Sequence, residues 1–267
     1  MANLRFDPVL GRPLRNGEPL ETLGRSTLHE AYDAIDRGDA AGAKALLESF
    51  RFEQQILQDI YVDWIWAMLT WVRDQVDEDA VERIMRDTLG SWAGARYAGY
   101  LDLDFDQRLA LTVEGMRGHL SGPGRQGNVE LTDEGDRVVV AFDPCGSGGR
   151  ARRGDPARGI APSSERPEFG DSEGAHDWTW GERGVCLYCA HCSLVNEILP
   201  IERLGFPMRV TEYPRDPADK CRWILYRDPR DVPEEAYARV GKTKPTAAEL
   251  EARWAKLRAG DQTGGDA

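Results

Sequence analysis

Residues 186–192, "CLYCAHC", place three of the chain's five cysteines and one of its four histidines within seven positions. Cys186, Cys189 and Cys192 form C-x2-C-x2-C, with His191 inside the second interval. A C-x2-C turn brings two sulfurs to the edge of one metal ion while free backbone N–H groups stabilise the thiolates. Three thiols and one further ligand would close a tetrahedral zinc site or hold an iron–sulfur cluster. The bacterial ferredoxin run needs another cysteine four positions on, followed by proline; here that position is Asn196.

Candidates for the missing ligand are Cys145 in "FDPCGSGG", Cys221 in "DKCRWILYR" and His176 in "AHDWTWG". The two cysteines fall at expected strand ends. Zinc is the preferred ion and iron the alternative, with an iron–sulfur cluster a third reading. Glu197, five residues past Cys192, is the expected general base for a metal-bound water, with His191 and Cys145 as catalytic partners. Arg150, Arg152, Arg153 and Arg158 follow the glycine turn and are expected to grip an anionic substrate group. Trp178 and Trp180 are expected to shield or stack on that substrate. His29 and His119 read as surface or helix-end residues. "CGSGG" lacks the lysine and hydroxyl of a phosphate loop, and no G-x-S-x-G elbow is present.

These residues need a scaffold. Hydrophobic residues make up 41% of the 267 positions, enough for a soluble globular core. The net charge of −12 argues against a nucleic-acid or membrane-surface partner, either of which calls for a basic face. The opening residues "MANLRFDPVLGRPLRNG" carry no apolar run, so the expected compartment is the reducing cytoplasm, where clustered thiols bind metal or react rather than form disulfides. "WIWAMLTWV" is far shorter than the roughly 20 residues of a membrane span and reads as a buried helix.

The pattern predicts an α+β chain: a helical N-terminal region, then a small antiparallel-sheet domain carrying the cysteine-rich metal site. An extension covers 1–25. Helices are expected over 26–120, including separate ones from "DAAGAKALLESF" and from 52–76, where Ile56, Ile60, Trp64, Met68 and Trp71 share one apolar face. The region 121–232 follows, with "NVELTDEGDRVVVAF" as a hairpin, 146–176 as a long Arg/Gly-rich loop, and strands in "FPMRVTEYP" and "CRWILYRDP". A C-terminal helix and flexible tail occupy 233–267.

This order resembles the L-2-amino-thiazoline-4-carboxylate hydrolase-like proteins: a helical region, a hairpin ending in Cys145, Cys189 and Cys192 ahead of a short helix, and Cys221 opening "KCRWILYR". The resemblance spans roughly residues 30 to 230. It implies a small α+β enzyme in which water attacks a cyclic C=N carbon with a cysteine or metal involved; the 146–171 insertion and the dense "CLYCAHC" depart from it. The expected function is therefore a metal-dependent hydrolase or lyase acting on a small anionic or cyclic C–N metabolite. A partner-binding protein with a structural zinc and an iron–sulfur protein are the alternatives, and self-association is left open.

Overall fold

The computed structural model describes residues 3–156 and 159–259, with backbone only for 92–96 and 98. Arg158 and the tail after residue 259 lie outside the described residues. The fold is α+β. By contacts the chain forms two units, Met1–Tyr61 with Pro156–Ile160, and Val62–Asp155 with Ala161–Ala267.

In the first unit β1 (Leu4–Asp7) and β2 (Arg12–Arg15) form a hairpin within the expected extension, followed by α1 (Leu20–Leu23) and α2 (Thr27–Asp36). Ser26 caps α2 by accepting the His29 amide. Ala31, Ala34, Ala43 and Leu46 form its small core.

The two helices expected between 40 and 76 are one, α3 (Ala40–Gln75). No Gly or Pro interrupts "LLESFRFEQQ", and the lone Ser49 does not start a new helix, so propagation continues. The expected buried face is also corrected. Ile60, Trp64, Met68 and Trp71 are exposed, Trp71 by 63%, whereas Val62, Trp66 and Leu69 are buried. The helix is apolar on both sides, so periodicity could not choose. The choice is made by 146–176: Trp66 donates its indole N–H to Gly170 O (2.8 Å) and stacks on Phe169 at 4.6 Å.

The second unit continues with α4 (Glu78–Tyr100), capped by Asp77, and α5 (Phe105–Gly118), which opens with an Asp104/Gln107 capping box. Its sheet has the order β3 (Glu130–Asp133), β4 (Arg137–Phe142), β6 (Cys221–Tyr226), β5 (Val210–Glu212), all antiparallel. β4 and β6 alternate because one face, carrying Val138, Val140, Trp223 and Leu225, packs on Met116 of α5. Between β4 and β5 run α6 (Gly148–Arg153), α7 (His191–Ser193), a π-turn (Leu194–Ile198) and α8 (Leu199–Leu204). α9 (Glu234–Ala238) and α10 (Ala247–Arg258) close the unit, α10 with a Thr246/Glu249 capping box.

The 146–176 stretch is strapped down by side chains rather than by regular structure. Arg150 and Arg166 both pair with Asp63 (2.8 and 2.9 Å), and Thr70 accepts the Gly170 amide. Glu78 accepts the amides of Glu173 and Gly174 and faces His176 Nε2 at 2.6 Å. Burial opposes ionisation of Glu78, but these three donors outweigh it and lower its pKa below the ordinary 4.5. A lowered carboxylate stabilises the fold fully above its unfolded value and loses that contribution as pH falls through the folded one. Glu78→Gln is therefore expected to speed amide exchange at Glu173 and Gly174 at least tenfold at neutral pH, with the gap from wild type closing in acid. Unchanged exchange would show that the strap does not depend on Glu78.

Candidate functional site

All five cysteines lie in the second unit and are free thiols. Three separate segments deliver them. β4 ends at Phe142, and the turn after Pro144 presents Cys145. Cys221 opens β6 directly opposite Phe142. Cys186, Cys189 and Cys192 come from the turn leading into α7 and from α7 itself.

The glycines after Cys145 serve close packing. A Cβ on Gly146 would sit 1.7 Å from His119 O, and one on Gly148 would sit 2.4 Å from Cys189 Sγ. The backbone of 146–148 is thus pressed against the end of α5 on one side and a thiol on the other. Ser147 Oγ lies 3.3 Å from Cys145 Sγ, and Ser147 also hydrogen-bonds the Tyr188 phenol.

Cys186 is fully buried, and its sulfur accepts the Cys189 amide at 3.1 Å. Cys145, Cys189, Cys192 and Cys221 differ from it in each keeping accessible surface. They are nevertheless deep. Burial pushes the Cys192 thiol up to about 12, and burial with the neighbouring Cys145 and Cys192 also raises Cys221 well above the ordinary thiol value. Cys189 is raised by its contact with Cys186, then by burial and by Cys145. We read these deep but partly accessible groups as lining a crevice. There Cys145 acts on Cys189 and, with Cys192, on Cys221, and Tyr188 feels Cys145, Cys189 and Cys192.

His191 and His119 border the same crevice. His191 Nδ1 faces Tyr188 O at 2.5 Å, and its Nε2 lies 3.6 Å from Cys192 Sγ. Burial lowers the pKa of both imidazoles, partly offset by their carbonyl partners, so both are neutral at pH 7. The carbonyl then takes the Nδ1 proton of His191, leaving Nε2 as a base toward Cys192. His119, assigned from sequence to a helix end, caps α5 and turns inward.

Arg209, which no motif marks, enters from the loop before β5. Its guanidinium lies over the Trp223 ring at 4.5 Å, and its charge acts on Cys192 and His119. Burial lowers its pKa. A lone arginine in "FPMRVTEYP" looks like an ordinary strand-edge charge, so only the fold reveals it.

Other expected site residues stand elsewhere. Glu197 is fully buried on the π-turn; Trp180 Nε1 (2.8 Å) and Thr211 N (3.0 Å) donate to Oε1, and Arg239 (2.5 Å) to Oε2. Both oxygens are committed, so Glu197 is not an available general base. Arg150 pairs with Asp63, and Arg152 donates to the carbonyls of Pro214 and Arg215. Arg153 pairs with Asp143 and donates to the carbonyls of Pro217, Ala218 and Asp219. These three arginines tie α6 to its surroundings rather than holding a substrate. Trp178 and Trp180 are core residues, stacked on His176 and Tyr213. His176 is held by Glu78, not by the thiols.

A single zinc ion would need its sulfurs about 3.8 Å apart, given Zn–S bonds of about 2.3 Å. Among the described residues no three His, Cys, Asp or Glu side chains stand together as such a group. No helix of the described residues is long and apolar enough to cross a membrane. Compared with known proteins, the chain matches no family model, no curated protein and no solved structure.

Proposed function

We propose that this chain is an iron–sulfur protein of small-molecule metabolism, with Cys145, Cys189, Cys192 and Cys221 as the cluster ligands. The observation that carries the reading is the arrangement of those four thiols. They come from three segments and gather in one region, where Cys145 acts on Cys189 and, with Cys192, on Cys221, yet among the described residues they do not close to the spacing of a single ion. A cubane interposes several irons and sulfides and takes four thiolates held farther apart. Cys186, buried behind the crevice, is outside the set. Four neutral thiols rest at little cost in a water-poor crevice, while four thiolates there need a cationic centre to balance them.

A bound cluster would supply electron transfer, since four cysteine ligands leave no open iron position. The chain's own residues do the rest. Gly146 and Gly148 let the Cys145 turn approach Cys189, Tyr188 covers the sulfurs, and His191 holds a proton-accepting Nε2 beside Cys192.

A second reading rests on that last contact. Without a cluster, His191 and Cys192 are a base and nucleophile within reach. Cys192 Sγ would add to an electrophilic C=N carbon as His191 Nε2 takes its proton and passes it to nitrogen; water would then form a C–O bond as the C–S bond breaks, and the proton it gives up to His191 would restore the Cys192 thiol. That is the hydrolase reading with Glu197 removed from it.

Single substitutions separate the two. Under the cluster reading, Cys145→Ser and Cys221→Ser each lose most of the bound iron from anaerobically purified protein, while Cys186→Ala keeps it. Equal iron in Cys221→Ser and wild type would leave the cluster reading without its fourth ligand.

A further inference from the structure

Arg209 is a deep guanidinium without a carboxylate. Among the described residues no Asp or Glu pairs with it, and the groups acting on it are Tyr100, Cys192 and Tyr97. Tyr97 donates to Val195 O and Tyr100 to Met208 O. Arg209 Nε is buried without a hydrogen-bond partner, and so is Nε1 of Trp223, the ring on which it lies. An unanswered buried donor costs about 1–3 kcal/mol, more for a charged one. Two at one contact point to a ligand that answers them.

We propose that Arg209, backed by Trp223, is the binding site for the carboxylate of a small organic acid that enters the thiol-lined crevice. This rests on the crevice being a small-molecule site and names the substrate class; it does not require the cluster. Stacking on Trp223 satisfies one face of the guanidinium and leaves its edge, the part that meets a carboxylate in two parallel hydrogen bonds. Geometry selects the ligand. The guanidinium edge presents two parallel N–H groups that match a planar carboxylate, whereas a tetrahedral phosphate dianion carries more charge to desolvate in a crevice lined with thiols. Arg152 also acts on Cys189 and Cys221, but its N–H groups are taken by the Pro214 and Arg215 carbonyls, and Arg150 and Arg153 pair with Asp63 and Asp143, whereas Arg209 Nε has no partner among the described residues.

The test is thermal unfolding of the full chain at fixed ionic strength with sodium benzoate, benzamide, sodium phosphate or sodium chloride. The expected result is a dose-dependent rise in Tm with benzoate alone. Arg209→Met should weaken the apparent benzoate affinity at least tenfold. Arg209→Lys, which keeps the charge and loses the fork, should fall between and decides the matter if the Met variant does not fold. Equal shifts from benzoate and benzamide, a larger shift from phosphate, or undiminished benzoate binding in both variants would overturn the assignment. Iron content measured on the same preparations keeps the two proposals apart. Iron-loaded protein that ignores benzoate overturns the carboxylate site alone. If Arg209→Met loses its iron and wild type ignores benzoate, the arginine is the cluster's counter-charge instead.

Discussion

Glu197→Ala is expected to lower the unfolding free energy by about 4 kcal/mol, the range for removing one member of a buried ion pair. Three donors converge on this carboxylate: the Trp180 indole, the Thr211 amide and the Arg239 guanidinium. Alanine leaves the first two buried and unanswered, while Arg239, 28% exposed, recovers part of its solvation. The bonds join the π-turn, β5 and the segment after α9, so the loss should be cooperative and visible as a lower denaturant midpoint at unchanged slope. Glu197→Gln keeps an acceptor for Trp180 and Thr211 and should cost less. Burial raises the Glu197 pKa, with Arg239 and the two neutral donors opposing it. A general base would behave differently: Glu197→Ala would leave stability intact and remove turnover alone. Native stability in Glu197→Ala would contradict the structural role assigned here.

Gly146→Ala should cost about 3 kcal/mol, the upper part of the range for overpacking. The added carbon would meet His119 O and Leu120 O, both backbone atoms that cannot rotate away. The Gly146 amide is itself held by Ser121 Oγ, and Gly122 N by Pro144 O, so the two strands of backbone cannot separate freely. Relief requires moving the turn that carries Cys145, and iron content should fall along with stability. The measurement is a denaturant titration paired with iron analysis. An alanine variant as stable as wild type would show that the close approach at residue 146 is relieved at no cost.

The parts of the fold governed by local chemistry were legible in the sequence. Alternation marked the strands that became β4 and β6, and the C-x2-C spacing put Cys189 and Cys192 in one turn. What failed was everything decided by distant partners. Trp66 rather than Trp64 faces inward because Gly170, about a hundred residues later, accepts its indole N–H. Glu197 resembled a helix-face base until Arg239 and Thr211 folded onto it. Arg150, Arg152 and Arg153 resembled an anion clamp in a mobile loop, and carbonyls of 214–219 that no pattern marks occupy two of them. Arg209 escaped notice because it is alone in its segment, and His119 stands at the expected helix end, where α5 also brings it close to His191 and Arg209. Charged groups were thus harder to place than apolar ones, since an ion's role depends on which counter-group reaches it.

The most direct measurement on the central claim is iron, zinc and acid-labile sulfide per chain in wild-type protein purified without oxygen, read with its visible spectrum. The account predicts brown protein with several irons and a matching amount of sulfide per chain, and a broad absorption near 400 nm that Cys221→Ser removes. Colourless protein, with one zinc or with none, would contradict it.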